Sequence, residues 1–166
     1  SSNLGYGPVE PEILDIVTKA TQVFTSMGAT ISESNISLEE PFQDFWNIIG
    51  SDSYAALGHF YEHNQDLLTD YVKTVLEHGI KVTGVEYSRS LSTVFKLQAA
   101  MASHFKQYDL LLTPTMPVSA FSIGKNPEII GGFNVDPFWG YLPFTYPFNM
   151  TGQPAATVPC GFTTTG

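Results

Sequence analysis

The chain has 166 residues, the size of one domain or of a portion of a larger one, and is 43% hydrophobic and only 14% charged, enough to build a real core. A formal net charge of -9 leaves no basic patch of the kind that nucleic-acid phosphates or anionic membrane surfaces require, and no apolar stretch approaches the length of a membrane-crossing helix. One cysteine, Cys160, excludes an internal disulfide and suits a reducing compartment, so a cytoplasmic location is expected.

The opening Ser1-Ser2-Asn3-Leu4-Gly5 carries neither a Met nor a signal-peptide pattern, so a truncation or cleavage product is expected. Gly5, Gly7 and Pro8 make a loop, and Pro11 sits where the first turn of a helix tolerates it. Ile13, Val17, Ala20, Phe24 and Met27 mark one apolar helix face that Gly28 ends. Residues 29–33 alternate and read as an edge strand. Phe42, Phe45, Trp46 and Ile49 mark a second helix stopped by Gly50. Tyr54, Leu57, Phe60 and Tyr61 mark a third, and residues 67–76 a fourth, ended by Gly79.

Thr83-Gly84-Val85-Glu86 has the form of a capping box, a hydroxyl and a carboxylate three residues apart that satisfy each other's free backbone N–H groups. The long helix it opens carries Leu91, Val94, Phe95, Gln98, Met101, Ala102 and Phe105 on one side. Residues 108–117, Y-D-L-L-L-T-P-T-M-P, then give a short apolar run at Leu110, Leu111 and Leu112 stopped by Thr113-Pro114. That pattern reads as a strand buried on both faces, with a ligand-binding loop at its C-terminal end. Residues 155–158, between Pro154 and Pro159, read as a second buried strand. Between the two lies a Gly- and Pro-rich loop, rich in aromatics from Phe133 to Phe148 and without periodicity, of the ordered kind that often carries function. The expected organisation is a single domain, helical over residues 10–107, with a strand and aromatic-loop region over 108–166.

Several short motifs carry chemistry only in the right context. His59-Phe60-Tyr61-Glu62-His63 matches H-x-x-E-H and could share zinc on one helix face if Glu77, Glu86 or Glu128 supplied a third ligand; otherwise these are two exposed histidines. Ser103-His104-Phe105-Lys106 matches S-x-x-K without its partner motifs, so a solvated helix-end turn is expected. Cys160 has no histidine after it to serve as base and reads as a buried structural thiol. Asn35-Ile36-Ser37 and Asn149-Met150-Thr151 fit the glycosylation sequon, which matters only in a secreted protein.

Residues 143–162, with Asn149-Met150-Thr151-Gly152-Gln153-Pro154-Ala155 at their centre, closely resemble the late part of the amidase signature family. So do residues 108–117, and so does the order of long helix, D-L-L-L-T-P-T, aromatic loop and N-x-T-G-x-P-A. The opening Leu4-Gly5-Tyr6-Gly7-Pro8-Val9 is similar to the start of that family's C-terminal half. The resemblance implies an α/β fold with helices packed on a mixed sheet, here only a part of it, and amide hydrolysis or acyl transfer through a Ser–cis-Ser–Lys triad. In that chemistry the lysine acts as base through the bridging serine and the second serine attacks the carbonyl, while backbone N–H groups hold the oxyanion. The triad belongs to the family's N-terminal half. No Gly-Gly-Ser-Ser-Gly-type segment is present here, so no catalytic residue is carried over.

The chain is thus expected to be a C-terminal portion of an amidase, inactive alone. Its partners would be an amide substrate and the N-terminal half of the same polypeptide, with no cofactor and no metal. Thr115, Met116, Trp139, Tyr141, Phe144 and Tyr146 are the candidate pocket-lining residues; packing in the core is the other reading of the aromatics among them. Exposed strand edges would favour self-association. The competing expectation is a free-standing, non-catalytic module that binds a small molecule or partner through the aromatic loop 133–148.

Overall fold

A proline at the first position, where its missing N–H costs nothing, opens helix α1, Pro11–Ser26. The computed structural model describes residues 1–165 and divides into two compact units, Ser1–Glu40 with Ala100–Gly166, and Pro41–Ala99.

In the first unit, α1 turns only a half-buried face inward: Ile13, Val17, Ala20 and Phe24 are partly covered, and Met27 is 77% exposed. The core here is built from Leu4, Leu38, Met101, Ile130, Trp139, Phe144 and Tyr146. Strands β1, Ile129–Ile130, and β2, Phe133–Asn134, pair antiparallel, with Ile129 opposite Asn134 and Ile130 opposite Phe133. The turn between them is Gly131-Gly132, with φ of 56° and 83°. Two consecutive positive values suit the twist of a tight hairpin, and glycine adopts them without a Cβ clash. A short helix, α5, spans Tyr146–Thr151.

The second unit is helical. The two helices expected on either side of Gly50 are one, α2, Phe42–His63. Gly50 reads as a stop in the sequence but sits inside the helix, buried where α2 meets Gly79 of α3, Asp70–Gly79. Thr69 caps α3, its Oγ1 accepting from Val72 N at 3.3 Å. The capping box of α4, Gly84–His104, forms as expected: Thr83 N donates to Glu86 Oε2 at 2.8 Å, and Glu86 N donates to Thr83 Oγ1 at 3.2 Å. Asn47 ties the unit together. Its Oδ1 accepts from Gln43 Nε2 at 3.0 Å and faces His78 Nε2 at 3.1 Å, and its Nδ2 donates to the buried Ser90 Oγ at 3.2 Å.

The three expected strands at residues 29–33, 110–112 and 155–158 form no ladder among the described residues. Their composition favours strand, but a ladder needs a neighbour at about 4.8 Å, and the described residues supply none beside them. The α/β class therefore rests, among the described residues, on helices with one small antiparallel sheet.

Candidate functional site

The aromatic loop is held by Asp136. Its Oδ1 accepts from Phe138 N at 2.7 Å and Trp139 N at 3.3 Å, and its carbonyl accepts from Gly140 N at 2.7 Å. Asn126 Nδ2 donates to the Pro137 carbonyl at 2.8 Å, and Val135 N to the Glu128 carbonyl at 2.9 Å. A Cβ on Gly140 would stand 2.6 Å from the Asp136 carbonyl oxygen, so glycine alone lets the turn close. The N-x-T-G segment that follows ends α5: Thr151 Oγ1 donates back to the Pro147 carbonyl at 2.9 Å, and Gly152 takes a left-handed φ of 71° as the cap.

The six candidate residues fall into different settings. Trp139, Phe144 and Tyr146 are core residues, Phe144 only 2% exposed. Trp139 stacks on Phe138 with ring centroids 5.7 Å apart. Gly7 lies so close to the Phe144 ring that a Cβ there would come within 2.6 Å of it. Tyr141 is half-buried, with its ring edge-on to Phe121 at 5.1 Å. Met116 is half-buried, and Thr115 is exposed with its hydroxyl 3.1 Å from that of Thr157. The Thr115 contact brings together the two segments that the sequence reads as buried strands. None of the six lines the cavity beside α1 or the depression beside Gly124.

Two phenols flank this core. Tyr6 OH donates to the Pro143 carbonyl, and Tyr146 OH donates to Glu40 Oε1 at 3.4 Å. Burial pushes both phenols above the ordinary tyrosine range; the neighbouring Tyr146 phenol raises Tyr6 further, and the Glu40 carboxylate raises both. Tyr6 is visible in the sequence only as the middle of Gly5-Tyr6-Gly7, and nothing local to it signals a role in fixing residues 143–146.

The cavity beside α1, of about 310 Å³, is walled by Leu14 and Val17 of that helix, residues 30–34, His104, Tyr108 and residues 110–112. His104 is 9% exposed and stacks on Tyr108 with centroids 4.6 Å apart. Its Nδ1 lies 3.4 Å from Ser34 Oγ, its Nε2 has no partner among the described residues, and burial lowers its pKa. Nothing in the sequence links His104 to Ser34, because residues 70 positions apart leave no local pattern. The shallower depression, bounded by Gly124, Lys125, Asn126, Glu128 and Pro137, borders the aromatic loop.

His59 and His63 are exposed on α2; Glu77 accepts from Tyr61 OH at 3.2 Å and Glu86 serves the cap. Among the described residues no three metal-binding side chains converge. Ser103 and Lys106 are exposed at the end of α4. Cys160 is exposed, not buried as expected, because residues 155–162 lie on the surface.

The sequence profile of the Amidase family matches residues 1–166. An acylamidase of Rhodococcus erythropolis is 29% identical over 170 residues, covering 100% of this chain and 35% of its own length. An amidase of Pseudomonas putida is 26% identical, covering 99% and 36%. A glutamyl-tRNA(Gln) amidotransferase polypeptide of Brevibacillus brevis is 29% identical, covering 95% and 36%. Among solved structures, a bacterial aryl acylamidase of the amidase signature family superposes with a TM-score of 0.82 at 26% identity, over 99% of this chain and 36% of that one. The chain thus spans about a third of the length of the relatives it matches.

Proposed function

The chain belongs to the amidase signature family, and on that premise we propose that it is the C-terminal portion of an enzyme that hydrolyses carboxylic amide C–N bonds. The observation that carries this reading is the family match over all 166 residues, with D-L-L-L-T-P-T at 109–115 and N-M-T-G-Q-P-A at 149–155 inside it. An acylamidase and an amidase among the relatives support the hydrolytic reading, beside glutamyl-tRNA(Gln) amidotransferase relatives. The acylating serine, its bridging serine and the lysine lie outside residues 1–166, in the N-terminal half of the same polypeptide, so this portion is inactive by itself. The reaction needs no cofactor, and a cytoplasmic location suits the reduced state of Cys160.

Within that enzyme this portion encloses the substrate. Thr115, Met116 and Tyr141 are the contact residues, being accessible on segments that the core holds still. Trp139, Phe144 and Tyr146 position the loop that carries Tyr141, through the Asp136 turn and the Tyr6 and Glu40 hydrogen bonds.

A fluorophosphonate, which phosphonylates activated serines, tests the assignment by intact mass. The product of the complete reading frame takes up one equivalent, and residues 1–166 alone take up none. An adduct on residues 1–166 would overturn the division of labour and direct attention to Ser103 beside Lys106. No adduct on the complete protein would remove the serine mechanism.

A further inference from the structure

Tyr6, Tyr54, Tyr61, Tyr87 and Tyr146 each donate their phenol proton to a carbonyl or a carboxylate. The Tyr141 hydroxyl has no hydrogen-bond partner among the described residues and is not buried. Its ring meets that of Phe121 with centroids 5.1 Å apart and planes crossed at 71°, and Phe121 is itself 37% exposed. Neither ring belongs to the core, and each keeps open surface. Both stand on backbone that is held. Phe121 lies between the Pro117 carbonyl, which accepts from Glu10 N at 2.8 Å, and a turn in which Lys125 N donates to the Ser122 carbonyl at 3.0 Å. Tyr141 lies between Gly140, whose N donates to the Asp136 carbonyl at 2.7 Å, and Leu142, whose N donates to the Trp139 carbonyl at 3.0 Å. The angle between the rings is therefore set before any ligand arrives, and a group entering it loses little to reorganisation.

Two ring planes so crossed make the walls of a corner. A third aromatic ring fits it twice over, offset-stacked on one wall and edge-on to the other, the two arrangements that the quadrupole of a π-system favours. A saturated ring of the same size is covered by the same walls but gains neither arrangement. The uncommitted phenol, at the end of one wall, adds a hydrogen bond to a polar group beside that ring, and an amide supplies both a donor and an acceptor there. We propose that Phe121 and Tyr141 form an aryl subsite, and that the substrate is an amide carrying an aromatic ring directly on its carbonyl carbon or on its nitrogen. Phe121 thus joins Thr115, Met116 and Tyr141 as a contact residue and sets the preference for a flat ring. The inference rests on the amide-hydrolase reading and adds to it the class of amide.

The test uses the product of the complete reading frame and two matched pairs of amides: benzamide with cyclohexanecarboxamide, and acetanilide with N-cyclohexylacetamide. In Phe121→Leu the preference for the aryl member, taken as a ratio of kcat/KM values, is expected to fall by about 2- to 12-fold in at least one pair, the worth of one aromatic contact. The intrinsic reactivities of the amides cancel, because each ratio is referred to the unsubstituted enzyme. Equal losses on both members of each pair would make Phe121 a prop for the Tyr141 loop and overturn the proposal. Binding is read separately with para-fluorophenylalanine in place of Phe121, a substitution that adds one small atom. Its fluorine resonance is expected to shift saturably with benzamide or acetanilide and not with their cyclohexyl counterparts. No shift with either aryl amide, or the same shift with all of them, would overturn the aryl subsite. The fluorine reading needs no turnover. Failure of the amide-hydrolase reading, seen as no fluorophosphonate adduct, is therefore distinct from failure of the subsite, seen as no selective shift.

Discussion

A Cβ on Gly79 would stand 2.0 Å from the carbonyl oxygen of Gly50, so α2 and α3 approach each other through the space of one absent methyl group. The contact is between backbones, which cannot swing aside as a flexible side chain would. Gly79→Ala therefore forces the helices apart and is expected to destabilise the helical unit by about 1–3 kcal/mol, read as a lower urea midpoint with unchanged slope. A Cβ on Gly50 would meet the edge of the His78 ring at 2.9 Å and the Gly79 backbone at 3.2 Å, a milder clash than the 2.0 Å at Gly79, so the effect of Gly50→Ala is smaller.

That pair also shows where the sequence can and cannot be read. The capping box at Thr83 and Glu86 and the proline start of α1 are local devices, complete within four residues, and both are where the pattern puts them. Gly50 misleads because a helix stop and a helix-packing gap use the same residue, and only the position of Gly79, far along the chain, tells them apart. The strands at 29–33 and 110–112 are legible as composition but not as ladders, which depend on a neighbour. Among the candidate residues, the pattern cannot separate Trp139 and Phe144, which face the core, from Tyr141, which does not. Hydrophobic pattern reports that a ring wants cover, not whether protein or ligand provides it.

His78 makes the helical unit sensitive to acid. Its ring stacks on Trp46 with centroids 4.7 Å apart and faces Asn47 Oδ1 through Nε2. Burial lowers its pKa below the ordinary 6.5; the Lys81 charge adds to this and the Glu86 carboxylate opposes it. Such a histidine holds fewer protons folded than unfolded, so acid favours unfolding. Stability is full above about pH 6.5, falls as the pH drops toward the folded-state pKa, and is level below it. In His78→Gln, which keeps an N–H toward Asn47, urea midpoints measured from about pH 7.5 to about pH 5 are expected to lose that slope in part. An NMR titration of the His78 ring with a midpoint at or above the ordinary 6.5 would refute the account.

The Tyr6 and Tyr146 phenols give the opposite limit. Both are raised by burial above the ordinary value of 10, and both donate hydrogen bonds that an ionised phenolate cannot make. The folded state holds these protons longer than the unfolded chain, so stability is full below about pH 10 and declines above it. An ultraviolet titration of the eight tyrosines is expected to show a late step that coincides with alkaline unfolding. Tyr6→Phe removes one share of that step and costs about 1 kcal/mol for the lost hydrogen bond to Pro143. If all eight phenols ionise together near the ordinary value of 10 while the protein stays folded, the buried setting of this pair is wrong.

The division between core and contact aromatics can be separated by measuring kinetics and stability side by side in the complete enzyme. Trp139 and Phe144 fill the core beneath the loop, so Trp139→Ala and Phe144→Ala leave cavities and are expected to cost about 3–5 kcal/mol of stability, with activity falling as the folded fraction falls. Tyr141 is half-exposed and touches Phe121 by one ring edge. Tyr141→Ala is therefore expected to cost little stability and to raise KM several-fold, because a lost contact with bound substrate weakens ground state and transition state alike. Met116→Ala should behave in the same way, and Thr115→Val more weakly, since Thr115 already satisfies its hydroxyl on Thr157. Reversal of the two classes, with Tyr141 governing stability and Trp139 governing KM, would place the substrate on the inner side of the loop. The Asp136 turn would then be a gate that opens, rather than the clamp its hydrogen bonds make it.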